Sequence, residues 1–320
     1  RSRGLGDVYK RQGDETALRQ YGEDGWTAVD DVCVRMNAAG IGIGFTAGDG
    51  IAVSGCRETA LNGSFPLRSV EDDYVVVTAL PRSLSSQSDP VTVERSVPDM
   101  DYVVESGNRL WGCKYGIVNG QAVNAIYASK LGDFKNWNCY EGLSTDSYAA
   151  SRGSDGAFTG AADYLGNPLF FKENCVERVY PSASGAHQIV TVQCAGVKSG
   201  SSGSLRVVDG KLYYHSQGGV CVFDGSMPVH VSQALGEMRY HNAVAGALDG
   251  SYYLSAADEN GAWHLLVLDT RQGLWYREDG VEAVGFAPWC GDLYCLTAAG
   301  QLLAMKGSGE NREGPVQWLG

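Results

Sequence analysis

The stretch Val207-Val208-Asp209-Gly210-Lys211-Leu212-Tyr213-Tyr214 (VVDGKLYY, residues 207–214) decides the fold. Asp-Gly between two apolar runs is a tight hairpin turn, because glycine enters backbone conformations that cost other residues energy. The β-branched and aromatic residues on either side fit a pleated, half-buried surface and so read as strands. The same beat recurs at Gly107-Asn108-Arg109-Leu110-Trp111, Gly166-Asn167-Pro168-Leu169-Phe170, Gly250-Ser251-Tyr252-Tyr253 and Gly291-Asp292-Leu293-Tyr294. Successive glycines stand 59, 44, 40 and 41 positions apart. A period near 40 with several short strands per unit marks a blade-repeat architecture. The expectation is an all-β fold, a β-propeller of about five to six four-stranded blades.

Working outward, three complete blades can be drawn. The first runs through 159–165, 168–173, 175–180 and 188–194, the second through 204–208, 211–216, 219–223 and 229–232. The third takes 243–247, 252–256, 263–269 and 273–277, and a last unit spans 283–306, with 314–320 as its expected outer strand. One such sheet cannot bury both faces alone; stacking blade on blade does, with the repeated aromatics in the seams.

Upstream the pattern changes. Residues 13–98 hold strand candidates at 31–36, 50–54, 63–70, 74–80 and 91–97, with a loop at 80–90. They read as a partial first blade plus a small β-insertion domain, and residues 99–320 as the propeller blades. The Gly-Ile-Gly-Ile-Gly run at 40–44 has no helix pattern behind it, so it reads as a turn or bulge and not a nucleotide loop. Residues 2–12 (SRGLGDVYKRQ) match the translated adaptor of transposase-made sequencing libraries. Residues 1–12 are therefore set aside from fold reasoning, and the natural amino terminus is expected to be missing, which leaves room for an incomplete ring.

Composition excludes some classes of function. The net charge of −12 argues against wrapping nucleic acid or docking on anionic lipid, which require clustered Lys and Arg. No apolar run approaches the ~20 residues of a membrane-spanning helix. Nine cysteines without a C-x-x-C pair read as reduced, mostly buried thiols. His187, His215, His230, His241 and His264 stand in separate strands without ligand spacing and read as structural. Asp258-Glu259-Asn260-Gly261 lacks the remaining ligands of a calcium loop and reads as a hairpin turn. Arg109, Arg178, Arg206, Arg239 and Arg277 fall in different blades, where pairing or solvation is expected. Ser144, Ser147 and Ser151 have no neighbouring histidine to activate them. No catalytic, cofactor-binding or metal residue is assigned. The positions singled out are the repeat residues Gly107, Leu110, Trp111, Gly166, Leu169, Phe170, Gly210, Tyr213, Tyr214, Gly250, Tyr252, Tyr253, Gly291, Leu293 and Tyr294.

Several strings occur together in order: NRLWGC (108–113), IYASKLGDFKNWN (126–138), EGLSTDSYA (141–149), GSDGAFTGA (153–161), GNPLFFKE (166–173), KLYYHSQGGVCVFDG (211–225), NAVAG (242–246), LDTRQGLWYRED (268–279) and DLYCL (292–296). Upstream lie DGIAVSGC (49–56) and LNGSF (61–65). This series, spanning nearly all of 30–306, resembles a family of bacteriophage and prophage virion proteins with β-propeller cores. In architecture the family is similar to tail-nozzle proteins (tail tubular protein B) and packaged-DNA stabilisation proteins.

The resemblance implies a non-enzymatic structural role in a tail or connector ring, with other virion proteins as partners. It further implies passing contact with packaged DNA and assembly in the host cytoplasm, without cofactor or membrane. A second reading is a glycan- or receptor-binding tail-tip propeller. That reading looks to exposed indoles among Trp137, Trp263, Trp275 and Trp289, for which seam packing is the default. A third, a sialidase-like hydrolase, needs a carboxylate pair facing arginines, and Ser154-Asp155-Gly156-Ala157-Phe158 lacks the spacing of its usual box.

Overall fold

A computed structural model of the chain describes residues 19–21, 26–29, 33–79, 91–236, 239–278 and 280–305. The expected loop over 80–90, the outer strand at 314–320 and the leading residues 2–12 lie outside them. The chain forms two compact units, residues 1–153 with 181–188, and residues 154–180 with 189–320.

In the first unit β1 (Arg19–Tyr21), β2 (Trp26–Ala28), β3 (Cys33–Asn37), β4 (Gly50–Ser54), β5 (Gly63–Glu71), β6 (Tyr74–Thr78) and β7 (Val91–Ser96) form one antiparallel sheet. Its order is β1-β7-β4-β5-β6-β3-β2. The first half of β5 pairs with β4 and the second with β6, across a register shift between Leu67 and Ser69. Such a bulge bends the strand, and the sheet encloses Ile41, Ile51, Val53, Leu67, Val75 and Val77. The Gly40–Gly44 run is a chain of turns, with Ile41 N–H donating to Ala38, Ile43 to Gly40 and Phe45 to Gly42.

The unit also holds a four-stranded meander, β8 (Tyr102–Ser106), β9 (Arg109–Val118), β10 (Gln121–Ala128) and β11 (Tyr148–Ser151). Its central strands outrun the outer ones. β8 pairs only with Arg109–Cys113 and β11 only with Ala125–Ala128, so the β9–β10 hairpin projects to its turn at Asn119-Gly120.

The second unit repeats the four-stranded plan. β12 (Gly160–Tyr164), β13 (Asn167–Phe171), β14 (Cys175–Tyr180) and β15 (Gln188–Gln193) make one sheet. The next is β16 (Arg206–Val208), β17 (Lys211–Ser216), β18 (Gly219–Phe223) and β19 (Val229–His230). A third follows with β20 (His241–Leu248), β21 (Ser251–Ala257), β22 (Trp263–Asp269) and β23 (Leu274–Arg277). Last come β24 (Ala283–Trp289), β25 (Asp292–Thr297) and β26 (Leu302–Ala304). The fold is all-β and propeller-like, built from antiparallel blades as the repeat predicts.

The repeat has a clear cause at both its turn and its aromatics. Leu165-Gly166, Asp209-Gly210, Asp249-Gly250 and Cys290-Gly291 all adopt positive φ at both positions, the geometry that matches the twist of a two-residue hairpin. Neighbouring strand residues point to opposite faces, so an aromatic pair serves two seams. Tyr214 packs with Phe171, ring centroids 5.0 Å apart, while Tyr213 faces Tyr252 at 5.5 Å. Tyr253 turns to the next cluster, with Val267, Leu293 and Cys295. Phenol hydroxyls then tie blade to blade: Tyr164 donates to Gly210 O and Tyr252 to Ser204 O, both at 2.8 Å.

Candidate functional site

The singled-out repeat positions are scaffold. Trp111, Leu169, Phe170, Tyr214, Tyr252 and Leu293 are buried, as are Leu110, Tyr213 and Tyr253, whereas Tyr294 is half-buried beside the exposed Trp289. Gly107, Gly166, Gly210, Gly250 and Gly291 occupy turns.

Of the five arginines that could have formed an anion site, Arg109, Arg178 and Arg206 are spent on backbone, while Arg239 and Arg277 are exposed. Buried Arg109 donates from Nη1 to Ser129 O (2.7 Å) and Asp146 O (2.5 Å), and from Nη2 to Ser144 O (2.8 Å). Arg178 donates to Gly225 O and stacks over Tyr180, and Arg206 donates to Leu205 O. Four histidines have defined partners. His187 Nδ1 accepts from Ser182 N, and its ring meets Trp111 and Tyr148 edge-on. His215 pairs with Ser201 Oγ (3.1 Å), His230 with Cys221 Sγ (3.4 Å) and His264 with Asp258 (3.1 Å). Burial pushes His215 down to about 4, so it is neutral at physiological pH. Asp258 caps its own turn, accepting from Asn260 N and Ala262 N. Ser147 Oγ bridges Cys139 N and Asn136 O.

Of the indoles, Trp137 lies in the 129–147 loop yet is buried and donates to Phe134 O. Trp275 packs half-buried against the third blade's core and donates to Val231 O. Trp289 is 70% exposed.

Cys139, Glu141 and Asp146 place three ligand-type atoms within 4.8 Å of one another, a grouping that sequence spacing did not suggest. Cys139 and Asp146 are engaged within the loop, while Glu141 is exposed. One Asp146 carboxylate oxygen accepts from Gly142 N (2.7 Å) and Leu143 N (3.0 Å), and the Cys139 thiol approaches the other at 3.5 Å. Burial pushes the Asp146 carboxyl up, but these amides more than offset it and hold the pKa below its ordinary value. Burial, reinforced by Asp146, raises the Cys139 thiol and keeps it protonated.

Among the described residues, two recesses stand out. One, of 410 Å³ in the second unit, lies among His215, His230, Ser232, Gln233 and Tyr240. Its histidines are already committed to Ser201 and Cys221. The larger is a groove of 580 Å³ in the first unit, between the end of the seven-stranded sheet and the β9–β10 hairpin. Phe65, Pro66, Pro98 and Tyr127 give it apolar surfaces, and Asn119, Asn138, Ser64 and Asp99 give it polar ones. Its sheet wall needs Gly50, where a Cβ would stand 2.5 Å from Ser96 O. Burial raises the Tyr127 phenol, which therefore stays a hydroxyl at neutral pH. Its lining thus mixes apolar rings with hydrogen-bonding side chains. Sequence reasoning missed it because its walls come from segments far apart in the chain; the one local signal was the Asn119-Gly120 turn.

No family model matches the chain, and no curated protein does. Among solved structures it is similar to a phage phi92 endosialidase, at 10% identity and a TM-score of 0.28. The match covers 88% of this chain and 46% of that one, so the chain spans about half that protein's length. A likeness so slight bears neither on fold nor on activity.

Proposed function

We propose that this chain is a non-enzymatic structural protein of a phage or prophage virion, a nozzle-like component of a tail or connector ring. The carrying observation is where the strings behind the family resemblance fall. NRLWGC, IYASKLGDFKNWN and EGLSTDSYA build one lock: Arg109 from the first reaches backbone carbonyls in the other two. Within the same strings Trp137 and Asp146 close the loop on itself. The residues with the most chemistry are thus consumed in holding shape, which suits a rigid building block whose partners are copies of itself and other virion proteins. A net charge of −12 supports a passage that DNA traverses without sticking, since attractive contacts would hold the phosphates.

The decisive measurement is sedimentation of particles induced from a host carrying the gene. The protein should travel with intact virions at a fixed multiple of the portal copy number, and purified chain should form rings visible by electron microscopy. Its absence from purified particles would refute the assignment. A purified chain that cleaves sialosides or other glycans with turnover would refute the non-enzymatic part.

A further inference from the structure

We infer that the 580 Å³ groove of the first unit binds a neutral saccharide. The volume lies within the roughly 300–1,000 Å³ of small-molecule sites. Pyranose rings carry an apolar face of C–H groups and a rim of hydroxyls, and the groove offers a counterpart to each. Phe65, Pro66 and Tyr127 present flat apolar surfaces that cost little entropy to order. Asn119 supplies an amide donor and acceptor, Asn138 an amide whose Nδ2 also reaches Gly48 O (3.4 Å), and Asp99 a carboxylate acceptor, the groups that grip vicinal hydroxyls. Asn119 is set in place by its turn, with φ of 50° there and 80° at Gly120, so part of the site is fixed before ligand arrives.

Charge selects neutral sugars over anionic ones. Lys114, the cation beside Asp99, is already bridged between Asp99 (2.8 Å) and Asp101 (2.9 Å). A ligand carboxylate or phosphate would meet Asp99 with that cation already engaged. The site differs from the exposed-indole surface that sequence reasoning favoured for glycans, and the inference is independent of the virion assignment.

The test is saturation-transfer NMR of the full chain against panels of neutral and sialylated oligosaccharides, followed by calorimetry on the best ligand. A neutral sugar should bind, and Phe65→Ala and Asn119→Gly should each weaken it about tenfold or more, as expected for a lost stacking face or hydrogen-bond pair. Asn119→Gly keeps the positive-φ turn, so it decides the matter even if Phe65→Ala proves unstable. Trp289→Ala, in the other unit, should leave affinity unchanged. The inference fails if no neutral sugar binds at millimolar concentration, if sialylated sugars bind better, or if affinity depends on Trp289 and not on the groove.

Discussion

The blades of the second unit and the 129–147 loop of the first are held by opposite means. Between the blades, rings fill seams: Tyr164 against Phe223, Phe171 against Tyr214, Tyr213 against Tyr252. Within the loop, polar groups reach backbone: Arg109 takes three carbonyls and Asp146 two amides, while Asn136 and Asn138 tie the loop to Ala47 and Gly48 of the seven-stranded region. Sheets satisfy most of their own N–H and C=O groups through the ladder, so the seams add mainly apolar filling with a few phenol hydroxyls. A long connection without a ladder must find partners for each buried backbone group, and side chains must provide them.

The largest expected effect tests the seam side. Tyr252→Ala should cost about 5 kcal/mol by denaturant unfolding, combining an aromatic-sized cavity with loss of the bond to Ser204 O. Tyr252→Phe should cost only about 1 kcal/mol; equal losses would mean that the hydroxyl, not the ring, holds the seam.

On the loop side, Arg109→Met should cost roughly 4 kcal/mol, because three carbonyls lose a charged donor. Arg109→Lys should recover little, since an ammonium cannot reproduce the planar fork. Hydrogen exchange should accelerate at Leu131, Gly132 and Ser147 and stay unchanged at Tyr214 and Tyr252. Uniform acceleration through both units would erase the contrast between local locking and seam packing.

The blades' architecture was legible in the sequence for a physical reason. Hairpin turns need left-handed backbone, which Asp-Gly announces, and strands need alternation, which Leu212, Tyr213 and Tyr214 display. Expected strands at 50–54, 175–180, 211–216, 219–223 and 263–269 coincide with those observed. The loop and the groove were illegible because each depends on meetings between distant segments. Nothing local to Arg109 announces Ser144 or Asp146, and nothing local to Phe65 announces Tyr127. Trp137 shows the limit: blade-seam packing is the default expectation for it, yet it is buried within the 129–147 loop, and its role in closing that loop has no periodic signal.

Acid sharpens the comparison next. His215 is held down to about 4, by burial first and then Lys198 and His241, against an ordinary value of 6.5. The unfolded chain therefore takes up the proton first, so this contribution is full above pH 6.5 and lost as pH falls toward 4. Its size is on the order of 3 kcal/mol. His187 in the first unit is lowered as well, by burial and then Arg109. His215→Asn, which can still face Ser201 Oγ, should flatten the acid limb of a stability-against-pH curve; an unchanged limb would assign the effect elsewhere.

The smallest effect concerns the turns. Gly210→Ala, at φ of 77°, should cost about 1 kcal/mol. A neutral result would show that the hairpin tolerates a different turn.

Cys290 occupies one of those turns, with φ of 50°, and it is the one exposed thiol among the cysteines. Burial drives Cys194 and Cys295 up to about 11 and raises Cys139, Cys175 and Cys221, which starves them of thiolate. A maleimide dye should therefore attach first at the tip of the β24–β25 hairpin, ahead of the half-buried Cys33. The wild-type chain thus carries its own address for a fluorophore or spin label, without any cysteine having to be engineered in or removed.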